Sequence, residues 1–149
     1  MNRPSAAILL AIVVLAVPIA WLTATLGFTI AVVAPARDVA VLLLWSTSEE
    51  IVFRGGLQPL LGWGLTRAAL LGSTRHQGWS VISMANLLTS LLFCAAHLLH
   101  KPVWVVLGLF PVSLLLGASL ERSGRLWVPV ALHAYFNLLL YAASALAPL

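Results

Sequence analysis

Two adjacent carboxylates and an arginine lie inside an apolar stretch of this chain, Val39–Leu65. These residues are Glu49, Glu50 and Arg54. Holding charged side chains in hydrocarbon is energetically costly, so charges kept there indicate a functional site. On an α-helix, Glu50 and Arg54 are one turn apart on the same face, where they can form an ion pair. Glu49 points about 100° away from Glu50. The spacing therefore indicates one structural and one chemical glutamate.

Two further pairs of side chains occur at the same helical spacing in other apolar stretches. Phe93 and His97 are four residues apart, with small residues between them. His133 and Asn137 are also four residues apart, with Ala, Tyr and Phe between them. The imidazole and carboxamide of the second pair can donate hydrogen bonds to one shared point. Each pair also fits a purely structural role, because His and Asn side chains often hydrogen-bond to neighbouring helices in membrane bundles.

The composition places these residues in a membrane. Of the 149 residues, 62% are hydrophobic and only 8% are charged, with a mean hydropathy of +1.05. A soluble domain carries about 25% charged residues. The net charge of +4 does not indicate a nucleic-acid partner, because the basic residues are few and scattered among short loops. The lone Cys94 excludes an intrachain disulfide and leaves the redox compartment open.

Five apolar segments predict an all-α membrane protein, a polytopic helical bundle of about five transmembrane helices in a single domain. Each segment is near or above the roughly 20 residues that span a bilayer. Pro18 should kink the first segment, which is longer than the apolar region of a signal peptide and is expected to be retained. The segments are Ala6–Ala34, Val39–Leu65, Trp79–His100, Val103–Leu120 and Leu126–Ala147.

The basic residues predict the orientation of these spans. With five spans, five arginines fall on one side of the membrane and two basic residues on the other, which favours the N-terminus inside. A hairpin at Pro18 would reverse the orientation of everything downstream. The first group is Arg3, Arg67, Arg75, Arg122 and Arg125, and the second is Arg37 and Lys101.

Three motifs therefore occur in order on separate apolar segments: Glu49-Glu50-x-x-x-Arg54, Phe93-x-x-x-His97 and His133-x-x-x-Asn137. Together they resemble the motifs of the CAAX protease and bacteriocin-processing family, which includes the type II CAAX prenyl endopeptidases. The resemblance extends to Phe53–Leu57 and Ser123–Trp127, and it gives a catalytic core of about residues 47–137. The chain is shorter than the eukaryotic and archaeal prenyl endopeptidases and resembles a compact bacterial member.

The resemblance implies hydrolysis of a peptide bond by an activated water molecule. Glu49 would be the general base, and His97 would help to hold and polarise the water. No cofactor is expected. The rival is a zinc site with Glu49, His97 and His133 as ligands and an open position for water. Metal-free chemistry is favoured because neither histidine occurs in the HExxH spacing that puts two ligands on one helical face.

The remaining motif residues are expected to support the reaction. The resemblance implies that His133 and Asn137 donate hydrogen bonds to the developing oxyanion, an interaction worth about 3 kcal/mol for a single donor. Glu50 and Arg54 would orient the helix that carries the catalytic glutamate.

The expected partners are the lipid bilayer and a membrane-embedded or lipidated protein or peptide substrate, with no nucleic acid. Cleavage would occur near the substrate's C-terminal tail, either a CAAX-like tail or a protein-sorting tail, and the expected location is the bacterial inner membrane. Two other functions remain open. The chain could be a non-enzymatic immunity or partner-binding membrane protein, or it could form a proton or ion pathway, which intramembrane Glu, Arg and His also mark.

Overall fold

A computed structural model of the protein describes residues 35–67 and 83–146, together with Val14, Ala16 and Val17. Every regular element within these two ranges is helical, which confirms the predicted all-α class. Apart from those three residues, the first predicted span, Ala6–Ala34 with its expected kink at Pro18, lies outside the described residues. The described ranges contain all three motifs.

Five α-helices and one π-helical segment make up the two described ranges. Each of the four apolar segments predicted downstream of Asp38 contains helix in the part that the structure describes. The elements are α1, Pro35–Glu50; the π segment, Ile51–Leu57; α2, Gln58–Arg67; α3, Met84–His97; α4, Val103–Ser123; and α5, Trp127–Leu146.

The predicted segment Val39–Leu65 lies within a run of helix whose middle is π-helical. The backbone N–H of Gln58 donates to the carbonyl oxygen of Phe53, the five-residue spacing of a π-helix. Gly55, inside the π segment, lies against Leu126, and a Cβ added there would be 3.1 Å from a Leu126 methyl carbon. The apolar pattern predicts a helix here but not its π geometry, which is frequently found at functional sites.

Local signals in the sequence explain two of the helix ends. Ser83 precedes α3, and its hydroxyl oxygen accepts a hydrogen bond from the backbone N–H of Asn86 at 3.0 Å, as expected for an N-cap serine. Gly124 ends α4 with a φ of 63°, a left-handed conformation that glycine adopts without steric cost. Helix α4 therefore continues through Ser123, three residues beyond the predicted segment Val103–Leu120.

Two of the described helices are long and apolar enough to cross a membrane. Helix α4 has 21 residues with a mean hydropathy of 2.2, and α5 has 20 residues with a mean hydropathy of 1.3. Helix α3 is also apolar but is only 14 residues long. The structure thus identifies two candidate spans among the five that the sequence predicts.

The distribution of side chains is reversed relative to a soluble protein. On α1, Leu44 and Trp45 are 67% and 62% exposed, whereas the adjacent Ser46 is fully buried. In the π segment, Val52 is exposed and Arg54 is fully buried. Lipid solvates apolar side chains, while polar groups in a membrane helix face the protein interior. This arrangement is the one expected for helices that meet lipid.

The described residues form two compact units. In the first unit, Glu49–Pro129, α3 packs against α2, α4 and the π segment. The core of this unit contains Phe93, Cys94 and Val106, with Phe53, Leu109 and Phe110 packed around it.

The second unit contains described residues 35–48 and 130–146. Two side-chain hydrogen bonds join its helices. The amide nitrogen of Asn137 on α5 donates to the hydroxyl oxygen of Ser46 on α1 at 2.9 Å. Two turns closer to the start of α1, Asp38 accepts a hydrogen bond of 3.4 Å from the hydroxyl of Tyr141. The two helices of this unit are therefore antiparallel along this polar seam.

Candidate functional site

The ion pair predicted from helical spacing is present. The guanidinium of Arg54 donates from Nη1 to Oε1 of Glu50 at 3.1 Å, and both side chains are fully buried. Burying either charge alone would be strongly unfavourable. The close contact between the two charges offsets the cost of removing both from water. Arg54 extends from the π segment back toward the last residue of α1.

Two further residues, on other helices of the first unit, hold Arg54. Its Nη2 donates to the hydroxyl oxygen of Ser113 at 2.6 Å and to the carbonyl oxygen of the same residue at 2.9 Å. Its guanidinium carbon lies 4.8 Å from the ring centroid of Phe93, a cation–π contact with α3. Arg54 therefore binds α3 and α4 as well as Glu50.

Ser113 is the residue of this cluster that the motif analysis missed, since its sequence context indicates only helix packing. The side chain is fully buried. It lies 59 residues from Arg54 in the chain, so no local spacing connects the two. A small polar residue inside an apolar span is a weak signal for such a contact.

His97 is fixed at one ring nitrogen. Its Nδ1 lies 2.9 Å from the carbonyl oxygen of Phe93, and the two rings have centroids 4.3 Å apart with planes tilted by 36°. Because a carbonyl oxygen only accepts, Nδ1 must carry the proton in this contact. In the neutral imidazole, Nε2 is consequently the atom with the available lone pair.

That nitrogen faces Glu49. Nε2 of His97 lies 3.9 Å from Oε1 of Glu49, and the two side chains are 14% and 25% exposed. The separation is too long for a direct hydrogen bond, and a water molecule at about 2.8 Å from each atom would bridge it. Both atoms can accept hydrogen bonds, so the arrangement can orient a water molecule and remove its proton.

The structure thus brings Glu49, Glu50, Arg54 and His97 together in the first unit. The third motif belongs to the second unit. His133 is buried there, at 8% exposure, one turn before Asn137 on α5. Both are placed on one helix at the spacing that the sequence predicts.

The first unit also holds a polar network that the motifs do not include. The amide nitrogen of Gln58 donates to Glu121 Oε1 at 2.9 Å and to the carbonyl oxygen of Gly117 at 3.3 Å. Ser83 also donates to Glu121 Oε1, and the amide nitrogen of Asn86 donates to the carbonyl oxygen of Leu114. This network joins α2 and α3 to α4.

The metal-binding alternative concerns Glu49, His97 and His133. Within residues 35–67 and 83–146, no group of three or more His, Cys, Asp or Glu side chains is arranged to hold a metal ion. The free Cys94 is buried beside Val106, with its sulfur 3.8 Å from the Val106 carbonyl oxygen. The absence of a cofactor in the reaction stays a prediction.

A family model described as type II CAAX prenyl endopeptidase Rce1-like matches residues 3–139, a range that includes all three motifs. Searches of the curated proteins and of the solved structures returned no match for this chain.

Proposed function

Because the chain belongs to the type II CAAX prenyl endopeptidase Rce1-like family, we propose that it is an intramembrane endopeptidase that cleaves membrane-associated proteins or peptides near their C-terminal tails. The family match confirms the assignment made from the three motifs. It also establishes the chain as a member of a membrane-embedded protease family, in agreement with the two candidate spans.

The contact that carries the proposal is the one between Glu49 and His97. With Nδ1 held by Phe93, Nε2 and the Glu49 carboxylate face each other across 3.9 Å. A water molecule between them donates one hydrogen to each. Glu49 then takes a proton as the water oxygen bonds to the substrate carbonyl carbon, which leaves a tetrahedral oxyanion.

The second half of the reaction returns the proton. The protonated Glu49 gives it to the leaving amine as the carbon–nitrogen bond breaks, so that carboxyl and amine products form and the carboxylate is regenerated. We assign the stabilisation of the oxyanion to His133 and Asn137, on the basis of the family motifs and their shared face on α5. No metal ion takes part in this scheme, so cleavage should persist in the presence of a chelator.

The proposed substrate is a lipidated CAAX-like tail or a protein-sorting tail with a hydrophobic anchor and a basic end. The reversed side-chain distribution supports a substrate that arrives through lipid, because apolar side chains dominate the exposed surface of α1 and α4. We further propose that the protein is a multi-pass component of the bacterial inner membrane.

The test compares the C-termini of membrane proteins from host cells that express equal amounts of the wild type or of Glu49→Gln. Tails shortened only by the wild type are expected. Glu121→Gln is the matched control, because it removes one carboxylate charge from the first unit and keeps a carbonyl acceptor for Gln58 and Ser83. Its cleavage pattern should equal the wild type. Identical termini in wild-type and Glu49→Gln cells would contradict the proposal and favour a binding or immunity role.

A further inference from the structure

We propose that Ser46 is a positioning residue that holds the amide of Asn137 in one orientation, an inference that rests on the proposed role of Asn137 as an oxyanion donor. Ser46 lies outside all three motifs. Its side chain is fully buried, and its Oγ is 2.9 Å from the Asn137 amide nitrogen and 2.8 Å from the Leu42 carbonyl oxygen.

These two contacts determine the direction of each hydrogen bond. The Leu42 carbonyl can only accept, so the Ser46 hydroxyl hydrogen is committed to it. The Ser46 oxygen then presents only lone pairs to Asn137. The amide of Asn137 must therefore turn its NH₂ group toward Ser46, since its carbonyl oxygen would find no donor there.

A fixed amide is what an oxyanion donor needs. One amide N–H of Asn137 bonds to Ser46, and the direction of the second N–H follows from the planar geometry of the group. A donor held in place before the reaction loses no free energy to reorientation as the negative charge develops. Without Ser46 the amide can turn over, and its oxygen would then repel an oxyanion.

Another hydrogen bond lets this role be separated from simple helix docking. Tyr141 and Asp38 join the same two helices at 3.4 Å, one turn beyond Asn137 on α5. Tyr141→Phe removes that bond and leaves the Ser46–Asn137 pair unchanged. It is therefore the matched control for Ser46→Ala, because each variant loses one hydroxyl from the same polar seam.

The experiment measures kcat and KM of the purified full chain in liposomes. The probes are a prenylated CAAX-type peptide and a hydrophobic sorting-tail peptide with a basic end, each carrying a fluorophore. Ser46→Ala should lower kcat about tenfold and leave KM unchanged. This loss should be smaller than the roughly 100-fold loss of kcat expected for Asn137→Ala, which removes the donor itself. Ser46→Thr keeps the hydroxyl and should restore kcat, whereas Tyr141→Phe should leave it at the wild-type value.

The double variant Ser46→Ala/Asn137→Ala tests whether Ser46 affects kcat only through Asn137. Its kcat should equal that of Asn137→Ala, because Ser46 acts only through that amide. Independent losses, or a Ser46→Ala kcat equal to the wild type, would overturn the inference while leaving the endopeptidase proposal intact.

A parallel measurement separates the inference from the proposed function. The unfolding free energies of the wild type, Ser46→Ala, Asn137→Ala and the double variant should show a coupling between Ser46 and Asn137. Additive losses of unfolding free energy would contradict the hydrogen bond itself. A wild type that cleaves neither probe and shortens no membrane protein in cells would instead overturn the endopeptidase function, and the positioning role with it.

Discussion

At the scale of single residues, the buried Arg54 contacts several residues of the first unit. Its guanidinium contacts the Glu50 carboxylate, the Ser113 hydroxyl and carbonyl, and the ring of Phe93. Phe93 in turn accepts the hydrogen bond that fixes His97. The ion pair thus supports the residue that faces Glu49, in addition to neutralising a buried charge.

Glu50→Gln should be strongly destabilising. The substitution leaves the Arg54 charge buried without its carboxylate, which typically costs about 3 to 5 kcal/mol. The free energy of unfolding in detergent measures the loss. Glu121→Gln, at the exposed end of α4, should change stability much less. Equal losses in the two variants would show that the pair contributes no more than a surface carboxylate.

His97→Asn should separate folding from catalysis. The asparagine amide can replace Nδ1 as the donor to the Phe93 carbonyl, but it has no atom at the position of Nε2. We expect thermal stability close to the wild type and at least a roughly 100-fold lower cleavage rate. The control is His100→Asn, which changes an exposed histidine near the end of α3. Wild-type cleavage by His97→Asn would exclude the proposed use of Nε2.

The residues of the site differ in how well the sequence predicts them. The pairing of Glu50 with Arg54 follows from i, i+4 spacing, because one helical turn brings the two together. Ser113 and Ser46 are not predicted, since they contact residues 59 and 91 positions away. A serine in an apolar helix is common, and only tertiary structure identifies the group that it contacts.

At the scale of elements, the crossing of α3 and α4 depends on a glycine. A Cβ at Gly117 would overlap the amide of Asn86 and lie 2.9 Å from Oε1 of Gln58. The absence of a side chain on α4 therefore makes room for two buried amides from α2 and α3. Small residues allow this close approach in membrane bundles.

Gly117→Ala should destabilise the first unit by about 1 to 3 kcal/mol, the usual range for overpacking a filled interior. Gly108→Ala is a control on the same helix, because nothing lies within 4 Å of a Cβ added there. That control should be neutral or up to about 1 kcal/mol stabilising, since alanine favours helix. Unfolding midpoints in detergent test both, and matching midpoints would contradict the packing role of Gly117.

The elements were more predictable than their detailed geometry. Long apolar runs predict helices, and Ser83 and Gly124 occupy the ends where capping residues are expected. The π segment has no such signal, because its seven residues are too few for the longer π-helical turn to produce a distinct apolar periodicity. Arg54 lies in this widened turn. The sequence pattern therefore does not predict the local backbone geometry of the candidate site.

At the scale of the whole molecule, α4 provides a direct test of the spanning topology. Its 21 residues extend about 30 Å, which matches the hydrocarbon thickness of a bilayer. Lys101 and Arg125 lie just outside its two ends. If α4 spans the membrane, these positions must face opposite sides.

Cysteine labelling in sealed vesicles measures this arrangement. In a Cys94→Ala background, Lys101→Cys and Arg125→Cys should react with a membrane-impermeant maleimide from opposite sides. The predicted orientation places Arg125 inside with the N-terminus and Lys101 outside. Labelling of both positions from one side would contradict a spanning α4, and reversed labelling would contradict only the orientation.

The bond between Arg54 and Ser113 also has a consequence for how the protein is made. The ribosome delivers Arg54 to the membrane 59 residues before Ser113, so the guanidinium enters near the Glu49 and Glu50 carboxylates but without its two acceptors on Ser113. An interrupted chain that ends before Ser113 keeps that partly satisfied charge in the bilayer. Insertion of α4 supplies both acceptors, so the buried guanidinium gains these hydrogen bonds only after this helix has been made.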